Sequence, residues 1–337
     1  MVASRGVGAT AKDPRRGLLV LADGVHAAFA AGAVAELART GTSWDRGAGA
    51  GLGAHVALLA VLGETAEAER RWTREASLGC PMFESRLGVA RRGIGDPRGV
   101  TLLPDPWSLA GWLDPAGLAE HLAPETAAVP KRLTQRGTTM MVAVEDLTSG
   151  AAEWVDLGRV EASEAGTILR GAAAFPAGWG PESDTPGGAT RLLWGGVGLA
   201  FRGAMPWAGD GREWDVVCGF PVPAVARPAL GGALLELLQR RSEASAADAV
   251  VRLIDGPDGN RLRVVAPTDS AWRSWSGRDG ADLGVEYPLP WERNGELTAA
   301  AVRFGAFAAH AVATGPEIGA HAPAFARPRG SPSGGGS

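Results

Sequence analysis

The sequence predicts an α/β fold with a mostly parallel central sheet that is covered by helices on both faces. Short apolar runs bounded by Gly, Pro or Asp recur along the chain, as expected of parallel strands that are buried on both sides. Segments with helical apolar periodicity separate these runs, which is the order typical of α/β proteins. A composition of 45% apolar and 21% charged residues over 337 positions supports a large core and excludes a disordered chain.

The amino-terminal part predicts one strand and one helix. Residues 17–21 (GLLVL) are a continuous apolar run, so they predict a buried strand. Residues 27–39 place apolar side chains roughly on one face of a helix. Asp23 precedes this segment and is predicted to cap its amino terminus, because Asp is among the preferred N-cap residues.

The next part is centred on a glycine-rich stretch, residues 47–63 (GAGAGLGAHVALLAVLG). It follows a predicted loop at 40–46 and is interpreted as a tight turn that leads into an apolar helix over 52–62. Glycines allow the strained backbone that such a turn requires. Residues 65–77 then predict an amphipathic surface helix that Trp72 anchors to the core.

Residues 79–135 are interrupted by Pro and Gly, and only residues 115–122 predict a clear helix there. A loop-rich stretch of this length is more often functional or packed on a core than free. We therefore interpret residues 79–135 as a cap-like insertion.

The second half of the chain continues the alternation of strands and helices. An apolar run is followed by a turn and an alternating segment, so the first two strands of this half predict a hairpin. The predicted strands are 138–144, 153–157, 190–194, 214–219 and 261–267, and the predicted helices are 162–170, 228–241 and 297–314.

These elements predict a single α/β domain over residues 17–315. Residues 1–16 predict a polar arm that precedes it. Residues 316–337 are rich in Pro, Gly and Ser, which is typical of a linker-like tail.

Composition narrows the function classes. The net charge is −4 and no basic block is present, which argues against nucleic-acid binding. Cys80 and Cys218 form neither a disulfide framework nor a metal site, so we expect a cytoplasmic protein without a metal or other cofactor. Asp23 and His26 interrupt the first apolar run, which argues against a signal peptide. Residues 47–63 are shorter than the ~20 residues of a membrane span, so no transmembrane segment is expected.

Five stretches carry a family resemblance through their order and spacing. They are residues 21–37, 49–57, 138–150, 168–181 and 191–197. Together they resemble the glycine-rich oxyanion loop, G-x-S-x-G elbow, D-L-x-T-G turn, pocket wall and D-G-G turn of the patatin-like phospholipases. The resemblance covers roughly residues 17–315. It implies a patatin-like three-layer fold and the chemistry of a lipid acyl hydrolase with a Ser–Asp dyad.

The chain departs from the family at both positions of the dyad. Between Gly49 and Gly53 of the elbow, the position of the nucleophilic serine is Gly51. At the position of the aspartate in the D-G-G turn stands Trp194. Glycine offers no attacking oxygen, and the indole has only a donor N–H and cannot act as a base.

The oxyanion loop also departs from the family. Where the family has G-G-G-x-R-G, this chain has Ala-Asp-Gly-Val-His-Ala, so that Asp23, Gly24 and His26 mark a degenerate loop. A carboxylate at Asp23 would oppose the negative charge that develops on an oxyanion.

The resemblance and its departures predict a pseudoenzyme that acts as a binding, scaffolding or regulatory subunit, with a protein partner or as a homo-oligomer. One alternative is an active lipid acyl hydrolase, a phospholipase or esterase, that uses substitute residues. A second alternative is a binder of a lipid or acyl ligand, peripheral at a membrane.

Several polar residues near these motifs are candidates for substitute catalytic groups, but the sequence favours a packing, capping or solvated-loop role for each. They are His26, Ser43, Asp45, His55, Glu182 and Asp184. The 12 tryptophans are unusual beside a single Tyr287. Those in predicted Pro/Gly-rich loops would suit either a partner surface or the cover of a sheet edge. They are Trp107, Trp112, Trp179, Trp207, Trp272, Trp275 and Trp291.

Overall fold

The central sheet determines where every candidate residue lies. A computed structural model describes residues 16–83, 113, 115–122, 128–174, 179–184, 190–202, 212–222, 234–255, 262–278, 287–288 and 294–314. The predicted arm, apart from Arg16, and the predicted tail lie outside these residues.

The strands form one eight-stranded sheet in the order β5-β6-β3-β2-β1-β7-β8, with β4 also paired to β3. Their bounds are β1 Arg16–Ala22, β2 Trp44–Gly51, β3 Thr139–Asp146, β4 Ala151–Asp156, β5 Glu182–Asp184, β6 Arg191–Trp194, β7 Trp214–Cys218 and β8 Leu262–Val265. The pairs among β3, β2, β1, β7 and β8 are parallel, whereas β4, β5 and β6 pair antiparallel. The sheet is therefore mostly parallel, as predicted.

Helices connect the strands. Their bounds are α1 His26–Arg39, α2 Gly53–Val61, α3 Thr65–Ser77, α4 Pro115–Leu122, α5 Val129–Arg136, α6 Ala162–Ala173, α7 Leu234–Asp255, α8 Asp269–Arg278 and α9 Gly295–Thr314. Short 3₁₀ turns cover Pro81–Phe83 and Val197–Leu199.

Both faces of the sheet are covered, because alternate residues of β1 enter two different cores. Leu18 and Val20 pack in the core that contains α1 and α2. Leu19 and Leu21 pack in the core that contains Ala246 of α7. The period of two along a strand thus makes a three-layer α/β fold, and the predicted fold class is confirmed.

One local prediction is wrong at the glycine-rich stretch. The last three residues of the predicted loop 40–46 and the start of the predicted turn belong to the strand β2, Trp44–Gly51, whereas residues 40–43 form a loop as predicted. Gly and Ala have low strand propensity, but packing overrides it here. A Cβ on Gly47 would lie 2.8 Å from both the Met140 sulfur and a Val61 methyl, so this central strand has no room for larger side chains.

Other elements differ in extent. The predicted helix 228–241 instead continues to Asp255, because Ala246, Ala247 and Val250 bury an apolar face after Arg241. Three elements are not predicted from the sequence. They are the helices over residues 129–136 and 269–278 and the short strand over residues 182–184. The described parts of the cap-like insertion contribute buried residues to the main core.

Candidate functional site

The candidate site lies at the carboxyl ends of β1 and β2, beside the loop that follows β6. In open α/β sheets, ligands bind outside the carboxyl ends of the strands, so this edge is the expected place for chemistry. The two parallel strands end together, because Ala22 of β1 is paired with Gly51 of β2. The structure therefore brings the predicted oxyanion loop and the predicted nucleophile position side by side.

The two flanking glycines of the elbow are required by close packing. A Cβ on Gly49 would lie 2.4 Å from the Ala54 Cα atom. A Cβ on Gly53 would lie 2.7 Å from the main-chain oxygen of Val20. Real Cβ atoms do not approach main-chain atoms this closely, so α2 can start directly after β2 only if both positions lack side chains.

Gly51 stands at the turn itself, with a φ of +63°. This left-handed conformation is strained for residues with a Cβ. A Cβ built there would lie 2.0 Å from Oδ1 of Asp23 and 2.4 Å from the main-chain oxygen of Ala22. The space that a side chain at the elbow would enter is therefore filled by the Asp23 carboxylate.

Asp23 is fully buried, and its carboxylate joins the two loops of the site. Oδ2 accepts a hydrogen bond from the main-chain N–H of Val197 at 3.2 Å, across 174 positions of sequence. The prediction that Asp23 caps a helix is wrong. Helix α1 has Val25 at its N-cap position without a side-chain cap, because the Asp23 carboxylate is directed toward the loop after β6.

The loop after β6 is also held by close packing. The Gly195 N–H donates to the Ala174 oxygen at 2.8 Å, and a Cβ on Gly195 would lie 1.8 Å from the Ala172 oxygen. The Gly198 N–H donates to Oγ of Ser242 on α7 at 3.0 Å. These contacts attach the loop to helices on both faces of the sheet.

Trp194 ends β6, where it is paired with Glu145 of β3. Its indole is half-buried and packs against the main core. Among the residues that the structure describes, its buried Nε1–H finds no hydrogen-bond acceptor. The side chain that stands at the predicted base position is thus an apolar ring with one donor.

His26 is nearly fully buried, and both of its ring nitrogens face oxygen atoms. Nε2 donates to the Pro288 main-chain oxygen at 2.8 Å, since a carbonyl oxygen can only accept. Nδ1 lies 3.0 Å from Oε1 of Glu243 on α7. The ring also packs on Tyr287 with a centroid distance of 5.3 Å. His26 is therefore packed inside the fold, with its Nε2 hydrogen-bonded to Pro288.

His55 lies within the helical layer. It is buried, its Nε2 is 3.4 Å from Nη1 of Arg71, and its ring contacts that of His121 at a centroid distance of 5.4 Å. This environment supports the packing role that the sequence predicts for His55.

The other candidate residues belong to different parts of the sheet. Ser43 and Asp45 lie at the opposite end of β2, where Asp45 accepts from Arg212 at 2.7 Å. Glu182 pairs with Arg170 at 3.2 Å. Asp184 ends β5, but its side chain is outside the described residues.

The two cysteines are free thiols in the core. Burial raises the pKa of the Cys218 thiol far above its ordinary value, so Cys218 is not a thiolate nucleophile at neutral pH. Cys80 lies 3.1 Å from Oγ1 of Thr298. Across the described ranges, no three His, Cys, Asp or Glu side chains are grouped as metal ligands.

The tryptophans do not all lie in loops. Trp179 and Trp272 are buried, and both Trp272 and Trp275 belong to the helix α8. A partner surface at Trp179 and Trp272 is therefore excluded, because their rings are inside the core. Trp107, Trp112, Trp207 and Trp291 lie outside the described residues.

One helix within the described residues, α9, is long and apolar enough to cross a membrane by length and hydropathy. Half of its apolar window is buried within the fold, where α9 packs against α1 and α3. The core helix of a soluble domain has the same properties.

Two features of this region are not predicted from the sequence. One is the hydrogen bond between Val197 and Asp23, and the other is a groove that Arg241 and Arg252 of α7 line. The first joins two distant loops, so no local pattern indicates it. The spacing of Arg241, Ser245 and Arg252 gives a signal for the second, but only once α7 is known to continue past residue 241.

The chain has few similarities to known proteins. No protein-family model matches it, and no curated protein matches it in sequence. Seven chains of solved structures match its fold, among them VipD from Legionella pneumophila, with a TM-score of 0.44 and 12% identity. That match covers 88% of this chain and 66% of the VipD chain, so the chain spans about two thirds of the length of that protein. At this TM-score the likeness carries no conclusion about activity.

Proposed function

We propose that this chain is a patatin-like α/β protein that does not hydrolyse esters and that acts by binding another molecule. The observation that carries the proposal is the position of the Asp23 carboxylate, 2.0 Å from where a Cβ of residue 51 would stand. The glycine turn that would present a nucleophile is retained, whereas the space for the nucleophile is filled from within the protein.

The chemistry of acyl transfer supports this proposal. The reaction needs an attacking oxygen, a base for its proton, and donors aimed at the developing oxyanion. Gly51 supplies no oxygen, and Trp194 supplies no base. The main-chain N–H of Val197, which faces this region, already donates to Asp23. A buried carboxylate at this point would repel a developing negative charge.

The experiment compares ester hydrolysis by the wild type, Gly51→Ser and the double variant Gly51→Ser/Trp194→Asp. We expect no turnover of p-nitrophenyl butyrate or of phospholipid vesicles by any of them, because Asp23 and the Ala22 oxygen still crowd position 51. Circular dichroism reports whether each variant is folded.

A fluorophosphonate probe provides the decisive control. An unrelated serine esterase should be labelled in the same tube, and this chain should not. Labelling at a single serine of the wild type, together with turnover that co-purifies with the chain, would refute the proposal and favour an active lipid acyl hydrolase that uses substitute residues.

The proposed binding role also predicts which molecules are recovered together with the chain. A scaffold or regulatory subunit should be recovered with a protein partner or as a homo-oligomer, and an acyl-ligand binder should retain its ligand. Light scattering and native mass spectrometry of the chain purified from its own host measure all three. A ligand-free monomer that co-purifies with nothing would contradict the binding role.

A further inference from the structure

A groove of about 700 Å³ opens beside Trp194 at the carboxyl edge of the sheet. Helix α7 forms one wall. Trp194 and the segment that follows it, including Leu199 and Phe201, also line the groove. The groove is therefore next to the closed elbow, but its walls are formed by other residues.

The groove is cationic in a protein whose net charge is −4. Arg202, Arg241 and Arg252 line it, and all three are exposed. Glu145 also lines it and pairs with Arg202 at 3.1 Å. Among the described residues, no carboxylate lies within 4.0 Å of the guanidinium of Arg241 or Arg252. The positive charges of Arg241 and Arg252 thus have no paired carboxylate within the part of the chain that the structure describes.

The spacing along α7 explains how one helix supplies this wall. Arg241, Ser245, Ala249 and Arg252 follow each other at intervals of four, four and three residues, so they share one face. Their α-carbons span about 16 Å at 1.5 Å per residue. The small residues Ser245 and Ala249 leave the space between the two arginines open. This face of α7 therefore borders a shallow channel that has a cation at each end.

Apart from the Arg202–Glu145 pair, the residues outside α7 that line the groove are apolar or glycine. Among them are Trp194 and Phe201, whose side chains are half-buried. A ligand in this channel would place an apolar or aromatic body against these rings and an anionic group at the arginines. Arginine suits phosphate oxygens because its planar group donates two parallel hydrogen bonds.

We propose that this groove binds a ligand that carries a phosphate ester on an apolar or aromatic body. The proposal is independent of the absence of hydrolysis, since it concerns binding on residues that take no part in the elbow. The same phosphate chemistry could come from a soluble nucleotide or from a lipid head group at a membrane surface, and the two sources are separable by experiment.

The test titrates ATP into the full chain at low ionic strength by calorimetry. In parallel, vesicles of phosphatidylcholine with and without phosphatidic acid are sedimented with the protein. The variants are Arg241→Ala/Arg252→Ala, which removes these two positive charges, and Ser245→Trp, which keeps the charges and fills the channel. The matched control is Arg159→Ala, an exposed arginine on another part of the surface.

We expect saturable binding of ATP that weakens at least about tenfold in both groove variants and stays unchanged in Arg159→Ala. This result would support a soluble ligand that binds in the groove. The same pattern with phosphatidic-acid vesicles alone supports the groove and a lipid head group. Absence of saturable binding to either probe overturns the proposal. So does an equal loss in Arg159→Ala, or full binding in Ser245→Trp, because either would mean general charge attraction.

Discussion

The glycines at the candidate site are required for different reasons. Gly49 and Gly53 have no space for one, because α2 starts against β2 and β1. Gly51 has neither the space nor a favourable conformation. Asp23 fills that space and attaches it to the loop after β6 through Val197. At the residue scale, residues 49–53 thus form a close-packed turn between β2 and α2.

Gly51→Ala should be much more damaging than Gly137→Ala. Both glycines have a φ of +63°, but a Cβ on Gly137 meets nothing within 4 Å. The conformational strain alone costs about 1 kcal/mol, whereas overpacking against main-chain atoms adds about 1–3 kcal/mol. Urea unfolding curves of the two variants measure the difference. Equal losses of stability would show that Asp23 does not occupy this space.

Asp146 provides a pH-dependent prediction at the same scale. A hydrogen bond from the Thr148 N–H to its carboxylate, with a further one from the Ser149 hydroxyl, lowers the pKa of Asp146 below the ordinary value of 3.8. A lowered folded-state pKa stabilises the fold above the unfolded-state pKa, and this contribution is lost as pH falls through the folded-state value.

The wild type should therefore melt above Asp146→Asn at pH 7, and the gap should close as pH falls below about 4. Asparagine keeps the shape of the side chain and one acceptor oxygen, but it replaces the second acceptor with an NH₂ donor and removes the charge. The part of the gap that changes with pH therefore reports the charge. Thermal melting from pH 3 to pH 7 measures it. A gap that stays constant across this range would contradict the prediction.

At the scale of elements, a buried carboxylate joins the amino ends of several strands. Asp215 of β7 is fully buried and accepts from Nε of Arg16 on β1 at 2.9 Å and from the indole of Trp44 on β2 at 2.7 Å. Arg263 of β8 donates two more hydrogen bonds to it, at 2.8 and 2.9 Å. One side chain thus fixes the register of four parallel strands at the edge opposite the candidate site.

Asp215→Ala should cost about 3–5 kcal/mol of unfolding free energy, because it leaves Arg16, Arg263 and Trp44 without their shared acceptor. Glu213→Ala is the matched control. It also removes a carboxylate that pairs with Arg16, but its side chain is 54% exposed, so the loss should be at most about 1 kcal/mol. Denaturant titrations compare the two. A similar effect in both variants would mean that the network adds little.

At the scale of the whole molecule, the helical layer depends on a close crossing of α1 and α9. A Cβ on Gly32 of α1 would lie 1.9 Å from the Val302 oxygen of α9. A Cβ on Gly305 of α9 would lie 2.0 Å from the Phe29 oxygen of α1. Each helix thus approaches the other at a glycine, which brings a carboxy-terminal helix onto the first helix of the chain.

Gly32→Ala should destabilise the fold by about 1–3 kcal/mol, although alanine favours helices more than glycine does. Gly277→Ala in α8 is the control, since nothing lies within 4 Å of its Cβ, and it should leave stability unchanged or raise it by up to about 1 kcal/mol. Opposite signs in thermal melts are expected. A gain of stability in Gly32→Ala would contradict the close crossing.

Much of the fold was predictable from local pattern. The buried strand around Leu19, the surface helix over Thr65–Ser77 and the hairpin of β3 and β4 each follow from periodicity and turn chemistry. The strand β2 was not predictable as a strand, because its Gly and Ala residues are selected by the helix packed against them. The end of α7 was missed because its Ala- and Ser-rich continuation has a weak apolar pattern.

The sequence by itself determined the three-layer α/β class and the absence of a hydroxyl at Gly51, since periodicity and residue identity are properties of the chain. Only the tertiary structure decided that Asp23 fills the space at Gly51, that His26 is hydrogen-bonded to Pro288, and that arginines of α7 line one groove with Trp194. These facts depend on contacts between residues far apart in the chain. Such contacts are fixed by the packing of layers, and no local pattern of residues encodes them.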